Sequence, residues 1–154
     1  MRRWLLLFCC VLAPVRLWAG EPGNMPLKMR LDTGQTLVVA EGEGEARSLG
    51  SYSIRLYQAA PAADDTTFFQ YGMIRPRDGF LQGINLLRLP QYDTRLVVVV
   101  MQSAGTGSYL AADAYLPAPD HLTLVRCVRG IPPRADLGEA LRQAPSADVS
   151  CVTP

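Results

Sequence analysis

Few residues in this chain have the types and spacing that enzymatic chemistry needs. His121 is the single histidine among 154 residues, and a Ser-His-Asp site would need a serine and an acid beside it in space. The sequence contains no G-x-S-x-G elbow, no H-E-x-x-H pair and no glycine-rich phosphate loop. Zinc would require several His or Cys ligands. We therefore predict a protein that is not an enzyme and that has no metal or other cofactor.

Acidic residues leave one catalytic alternative open, because two carboxylates are enough for glycoside hydrolysis. Asp113 and Asp78 are the candidates for such a small secreted hydrolase. The acidic stretch at 41–45 lacks the spacing of an EF-hand calcium loop, and we interpret it as a solvated loop.

A glycine- and hydroxyl-rich segment at 103–109 has the composition of a binding loop. Glycine permits backbone shapes that other residues resist, hydroxyl groups can donate hydrogen bonds to carboxylates or sugars, and tyrosine is a rigid amphipathic anchor. An ordinary hairpin loop has the same composition and is the alternative. The candidate partner-binding residues are Ser103, Gly105, Thr106, Gly107, Ser108 and Tyr109.

Residues 1–19 have the pattern of a secretory signal peptide. Arg2 and Arg3 form a positive start, residues 4–15 are apolar, and Ala19 is a small residue before the cut. The apolar stretch is shorter than the about 20 residues that a spanning helix needs, although an uncleaved anchor is an alternative. We predict cleavage after Ala19, a single exported domain over 20–154, and no membrane insertion of the mature chain.

Cleavage would remove Cys9 and Cys10 and leave Cys127 and Cys151. Two cysteines in an exported domain most often pair. No C-x-x-C motif or histidine cluster is present to activate a thiol. The sequence therefore predicts a disulfide that attaches the C-terminal segment to the strand holding Cys127.

Short alternating or β-branched segments, separated by turn residues, make up most of the chain. The apolar run at 96–101 predicts a central strand buried on both faces. Residues 76–79 (PRDG) predict an Asp-Gly turn, Gly83 predicts a bulge, and 136–143 favours a helix capped by Asp136. The predicted strands are 27–31, 36–40, 51–57, 66–74, 80–89, 96–101, 109–116 and 121–128.

This pattern predicts an all-β fold, an antiparallel sandwich or flattened barrel of about eight strands with one short C-terminal helix. The balance of 15 Lys and Arg against 14 Asp and Glu gives no basic stripe and argues against nucleic-acid binding. A hydrophobic share of 49% argues against a disordered chain.

Three segments resemble the periplasmic inhibitors of invertebrate-type (i-type) lysozyme. They are GSYSIRLY at 50–57, RDG at 77–79 and, most specifically, SAGTGSYLAADAY at 103–115. The resemblance runs from about Gly50 to Leu141. It implies a β-sandwich in the bacterial periplasm that can form a homodimer. It also implies a loop that enters the lysozyme active-site cleft, which protects peptidoglycan from host defence.

Members of that family carry a Ser-x-x-Tyr pattern on the inserted loop, and its Ser and Tyr contact the lysozyme. The matching positions here are Thr106 and Tyr109. Thr106 keeps the hydroxyl group of the usual serine and adds a methyl group that stiffens χ1. The resemblance therefore implies i-type lysozyme as the partner and the 103–109 loop as the contact.

An exported carbohydrate- or peptidoglycan-binding domain without inhibitory activity is the second hypothesis. In that case Tyr52, Tyr57 and Tyr115 would stack on sugar rings.

Overall fold

The computed structural model describes residues 25–147 and residue 151, so the predicted signal peptide at 1–19 lies outside the described residues. Within them, no helix is long and apolar enough to cross a membrane. The elements, in chain order, are β1 (Leu27–Arg30), β2 (Thr36–Glu41), β3 (Leu49–Tyr57), β4 (Phe69–Asp78), β5 (Phe80–Leu87), β6 (Leu96–Gln102), β7 (Leu110–Pro117), β8 (Leu122–Ile131) and α1 (Leu137–Gln143).

Each half of the described chain forms one four-stranded antiparallel sheet with its strands in sequence order. Sheet A contains β1 to β4, and sheet B contains β5 to β8. The two sheets are open and packed face to face, which confirms the predicted sandwich and rules out the closed, flattened barrel. Short segments with period-two hydrophobicity build such ladders because alternate side chains reach one shared core.

The main core lies between the sheets. Inward side chains of β2 and β3, such as Leu37 and Ile54, pack against Val97, Val99 and Met101 of β6. All five are almost completely buried. Fully burying an aliphatic side chain of this size contributes about 1.5–3 kcal/mol.

A second apolar cluster covers the other face of sheet B. Val98 and Val100 of β6 pack there with Ala112 and Ala114 of β7, beneath Leu141 of α1. Strand β6 is therefore buried on both faces, as its unbroken apolar run predicts. Helix α1 supplies the cover, and its start is confirmed as well, because the Asp136 side chain accepts a hydrogen bond from the Glu139 amide at 2.7 Å.

The predicted Asp-Gly turn at 76–79 is wrong. Pro76 and Arg77 belong to β4 and pair with β3, and Gly79 links sheet A to sheet B instead of closing a hairpin. β4 is an edge strand, so the missing amide of Pro76 costs no ladder hydrogen bond. Gly79 has φ +89°, and a Cβ there would overlap the carbonyl oxygen of Gln102. Only glycine adopts this positive φ without strain and also lacks the Cβ for which there is no space.

Smaller differences occur at the strand ends. The strand predicted at 66–74 begins at Phe69 and extends to Asp78, and the strand predicted at 80–89 ends at Leu87. The bulge predicted at Gly83 is confirmed by a register shift between Leu81 and Gly83.

The predicted disulfide is confirmed. Cys127 of β8 is bonded to Cys151, with the two Cα atoms 5.8 Å apart. The bond attaches residue 151 to sheet B, as expected from the sequence.

A buried polar cluster crosses the main core. Asp113 of β7 is fully buried and accepts a hydrogen bond from the Tyr52 hydroxyl at 2.5 Å. The Tyr115 hydroxyl lies 2.5 Å from that of Tyr52, and Nη1 of Arg129 lies 2.7 Å from the Asp113 carboxylate. A buried carboxylate needs such partners, so these residues fix how sheet A sits on sheet B.

We expect Tyr52→Phe to lower the free energy of unfolding by about 1.5–3 kcal/mol, the range for a hydrogen bond to a charged group. Chemical denaturation measures it. Tyr57→Phe is the matched control, since Tyr57 is half-buried on the outer face and contacts Phe69 edge-on. Equal effects of the two substitutions would contradict a special role for the cluster.

Burial, together with the Asp113 charge, raises the pKa of Tyr52 and of Tyr115 well above the ordinary tyrosine value. The folded state therefore holds these protons more tightly than the unfolded state. This stability is fully present below about pH 10, where unfolded tyrosine begins to ionise, and it falls as the pH rises further.

Above that pH, each buried tyrosine lowers the free energy of unfolding by about 1.4 kcal/mol for each pH unit. We expect the pH dependence of the unfolding free energy between pH 10 and 11.5 to be shallower in Tyr52→Phe than in Tyr57→Phe. Identical slopes would show that the Tyr52 hydroxyl is not held protonated by the fold.

Candidate functional site

The 103–109 segment lies at one end of the sandwich, which we call the loop end. It connects β6 to β7, both of which are paired on each side within sheet B. The 42–48 connection and the Gly79 link lie at the same end, because Leu49 pairs with Asp78 and Phe80 pairs with Gln102. The loop therefore projects from the most deeply buried strands of the molecule.

All six predicted partner-binding residues lie together on this loop. Its base is closed by a hydrogen bond from the Ser103 amide to the Tyr109 carbonyl at 2.8 Å. Its tip is turned by a longer bond from the Ser108 amide to the Gly105 carbonyl at 3.4 Å. Gly105, Thr106 and Gly107 are exposed, whereas Ser103 and Ser108 are half-buried. A short loop closed in this way loses little freedom when it meets a partner.

Tyr109 folds back over the loop. Its side chain remains 52% exposed, yet a Cβ added at Gly107 would overlap the Tyr109 ring. A methyl group at Gly107 would therefore have to displace the Tyr109 ring, whereas a Cβ at Gly105 would meet nothing within 4 Å. The absent side chain of Gly107 leaves room for the Tyr109 ring against the loop backbone.

Ser108 has φ +49°, the left-handed region that non-glycine residues avoid at a cost of roughly 1–2 kcal/mol. It is the one non-glycine residue with positive φ in the described part of the chain. Such backbone conformations persist where the surrounding structure imposes them, and they concentrate at binding loops. The loop tip therefore keeps a backbone conformation that a serine at position 108 does not itself favour.

Sequence reasoning assigned no role to Arg77, which supports the loop end. Its side chain is 1% exposed and donates hydrogen bonds to the carbonyls of Ser51 (2.9 Å), Arg47 (3.1 Å), Ala46 (3.1 Å) and Gly79. The alternation along β4 indicated its burial, because Arg77 is an even number of residues from Tyr71 and Met73 and so faces the core as they do.

Two carboxylates balance the buried guanidinium of Arg77. Glu41 and Glu45 lie 3.8 and 3.7 Å from its Nη2 atom. Glu41 also accepts a hydrogen bond from the Leu81 amide at 2.5 Å. Hydrogen bonds from the amide and hydroxyl of Ser51 lower the pKa of Glu45, and Arg77 adds to this. Residues 43–45 are exposed, as expected of a solvated loop, whereas Glu41 ends β2, and the Glu41 and Glu45 carboxylates both lie beside Arg77.

The other candidate residues lie outside the loop, although Asp78 is at the same end of the sandwich. Tyr52 and Tyr115 are fully buried, so their predicted stacking on sugars is wrong. Asp113 is inaccessible for the same reason and cannot serve as a catalytic acid, whereas Asp78 is exposed at the end of β4. His121 is exposed at the opposite end and lies 2.7 Å from Asp120.

Metal-ligating groups do not cluster in the described part of the chain. Across residues 25–147 and 151, no group of three or more His, Cys, Asp or Glu side chains could hold a metal ion. The loop instead offers hydroxyl and amide donors and one aromatic ring, which are groups suited to contact with another macromolecule.

Solved structures of known function share this fold. The chain is similar to PliI-Ah, a periplasmic lysozyme inhibitor of I-type lysozyme from Aeromonas hydrophila, with 38% identity, a TM-score of 0.70, and coverage of 76% of this chain and 98% of that one. It is equally similar, at 38% identity and a TM-score of 0.70, to Aeromonas hydrophila PliI in complex with Meretrix lusoria lysozyme, covering 77% of this chain and 95% of that one.

No match was found among curated proteins. The model of one family, described as the periplasmic lysozyme inhibitor of I-type lysozyme, matches residues 24–144, which include every strand, α1 and the loop. The sandwich, the exposed loop and these similarities agree, and the chain belongs to the PliI family of periplasmic inhibitors of I-type lysozyme.

Proposed function

We propose that this protein inhibits i-type lysozyme by inserting its 103–109 loop into the enzyme's active-site cleft. The observation that carries the proposal is the loop itself. It is exposed at the tip, closed at the base, and fixed to the two central strands of sheet B in a family of lysozyme inhibitors. A relative at 38% identity was crystallised in complex with a lysozyme.

The chemistry of the cleft explains why these residues suit it. Lysozyme cleaves glycosidic bonds with carboxyl groups that flank the scissile bond. Hydroxyl donors at Thr106 and Ser108, and the phenol of Tyr109, can donate to those carboxylates. A hydrogen bond to a charged acceptor contributes about 1.5–3 kcal/mol. The bulk of the loop then excludes the polysaccharide.

Rigidity of the loop lowers the cost of binding. Immobilising a flexible side chain at an interface costs roughly 0.5–1.5 kcal/mol. Here the Ser103–Tyr109 hydrogen bond and the packing of the Tyr109 ring on Gly107 restrict the loop before the lysozyme arrives. Less of the interaction free energy is then lost to ordering the loop on binding.

The biological setting follows from the same proposal. Residues 1–19 would direct export, and the mature domain would act in the periplasm, where it shields peptidoglycan from a host lysozyme. The Cys127–Cys151 disulfide is compatible with that oxidising compartment. Homodimer formation, which the family resemblance implies, is part of the proposal and is tested by sedimentation of the mature protein.

We expect Tyr109→Ala to raise the inhibition constant for i-type lysozyme at least about tenfold, a loss of roughly 1–2 kcal/mol, because Tyr109 is the aromatic anchor of the loop. A lysis assay with purified mature protein measures this. Phe68→Ala is the matched control, since Phe68 is an aromatic residue of similar exposure (55%) at the opposite end of the sandwich. Unchanged inhibition by Tyr109→Ala would refute the proposed site.

A pair of glycine substitutions separates loop shape from loop chemistry. We expect Gly107→Ala to weaken inhibition several-fold, because its methyl group would displace the Tyr109 ring. Gly105→Ala should have less effect, since nothing lies within 4 Å of its Cβ position. The same lysis assay, with chicken-type and goose-type lysozymes as specificity controls, measures both. A larger loss at Gly105 than at Gly107 would contradict preorganisation by the Tyr109 ring.

A further inference from the structure

The outer face of sheet A is left open, whereas α1 covers the outer face of sheet B and no other helix occurs among the described residues. Side chains alternate along each strand. Leu37, Ile54 and Met73 face the main core, so the residues between them face outward. Three rows of register partners lie on this outer face: Arg30, Thr36, Tyr57 and Phe69; then Lys28, Val38, Arg55 and Gly72; and then Ala40, Ser53 and Ile74.

Phe69 lies along this outer face and does not point away from it. Its ring is in edge-to-face contact with Tyr57, and the two ring centroids are 6.0 Å apart. The far end of the ring rests on Gly72, where an added Cβ would lie 3.1 Å from the Phe69 Cζ atom. Phe69 is nevertheless 59% exposed. Because one side of the ring rests on the sheet and the rest faces solvent, the ring offers a platform to a flat apolar surface.

Arg55 and Arg30 lie on the same face, and neither forms an ion pair with another described residue. Arg55 is exposed and is the register partner of Gly72, so its side chain begins beside the Phe69 ring. Arg30 is exposed in the same row as Tyr57. Arginine recognises a carboxylate through two parallel hydrogen bonds. Both cations are therefore available to an anionic group next to the exposed ring.

The acidic side chains that contacts place on this face leave it positively charged. Asp65 lies 2.6 Å from the Nζ atom of Lys28 and balances that cation. Glu43 lines the same open depression as Arg55, but the two form no ion pair within the described part of the chain. With Lys28 balanced, Arg30 and Arg55 outnumber Glu43, and a partner of negative charge is favoured.

We propose that the outer face of sheet A binds a carboxylate-bearing glycan, with a sugar ring stacked on Phe69 and a carboxylate paired with Arg55. Peptidoglycan, a glycan with carboxylate-bearing peptide stems, has both features. A ring that lies along the sheet suits the apolar face of a sugar, whereas a ring that enters a membrane would project from the surface. The outward positions of β3 from Tyr57 to Ser53 extend about 13 Å, the length of a short oligosaccharide.

The proposed glycan site is separate from the inhibitory loop and does not depend on the proposed function. Phe69 begins β4 at the end of the sandwich opposite the loop. One molecule is therefore free to hold the polymer on the side of sheet A while its loop meets a lysozyme. Attachment of this kind would raise the effective concentration of the inhibitor where the enzyme acts.

Cosedimentation of the mature protein with purified, insoluble peptidoglycan, in the absence of lysozyme, tests the site. We expect saturable retention, and we expect Phe69→Ala to raise the apparent Kd about tenfold, as for an aromatic hot spot. Phe69→Tyr keeps the ring and should stay within about twofold of the wild type. Arg55→Glu should raise the Kd about tenfold at low salt and less at about 0.5 M salt, because screening weakens the added charge repulsion.

Two matched variants serve as controls and should leave the Kd within about twofold. Phe68→Ala removes the neighbouring ring, which is 55% exposed, and Arg134→Glu reverses an exposed charge between β8 and α1. Thermal unfolding checks that each variant is folded. Phe69→Ala and Arg55→Glu should still inhibit i-type lysozyme, and Tyr109→Ala should still bind peptidoglycan, since the two sites are separate.

Two further surfaces identify the ligand. Chitin has sugar rings without carboxylates, and we expect it to retain the protein more weakly and with little dependence on salt. Vesicles of phosphatidylglycerol should not retain it. Retention on the vesicles that equals retention on peptidoglycan, or an equal loss in Phe68→Ala and Phe69→Ala, would show a membrane or unspecific apolar contact and overturn the inference.

The remaining outcomes are equally decisive. No retention of the wild-type protein on peptidoglycan, or unchanged retention of both Phe69→Ala and Arg55→Glu, would refute the glycan site. If Phe69→Ala instead converts a dimer into a monomer in sedimentation, the face is an interface between copies and the inference is overturned. Each of these results leaves the effect of Tyr109→Ala on lysozyme inhibition untouched, so the proposed function stands or fails separately.

Discussion

The buried guanidinium of Arg77 holds together the end of the molecule on which the candidate site depends. It contacts the chain before β3, β3 itself and the Gly79 link into β5, and it lies beside two carboxylates. Removing one partner from such a buried ionic cluster typically costs about 3–5 kcal/mol, because an uncompensated charge remains. Its neighbour Gly79 brings the first residue of the loop against this cluster. The position of the loop is therefore a consequence of how the two sheets are joined.

The two strands that carry the loop, β6 and β7, are themselves held in place by the rest of the molecule. Strand β6 is covered by sheet A on one face and by α1 on the other, and β7 carries the Asp113 carboxylate into the core. Both strands that support the loop are thus fixed by packing on two sides. An inhibitor gains from this arrangement, since a loop that competes with a substrate must keep its shape without help from the enzyme.

Local patterns predicted those parts of the fold that local chemistry decides. The β-branched run of β6 and the Asp136 cap are examples. Burial on both faces requires an unbroken apolar run, and a helix start favours a capping side chain, so both can be identified from the residue types alone. Residues 76–79 misled us, since an Asp-Gly pair usually closes a hairpin, whereas here the nearby carbonyl of Gln102 requires a glycine where the chain passes from one sheet to the other. Tyr52 and Tyr115 were misplaced for a related reason, because the buried Tyr52 hydroxyl meets the Asp113 carboxylate of the opposite sheet and lies beside the Tyr115 hydroxyl. For the loop, composition alone allowed two interpretations, and the resemblance at 103–115 pointed to the binding role.

The strictly sequential order of the strands has a consequence for how the chain reaches its native state. Every ladder joins strands that are neighbours in sequence, so each pairing closes only a short connection and loses little chain entropy. Sandwiches built from Greek keys need distant segments to meet before any sheet is complete. Here each sheet comes from one contiguous half of the described chain, and the two halves are joined at Gly79. Pairing between consecutive strands favours faster folding than pairing between distant segments and shortens the time during which bare strand edges are exposed to other chains.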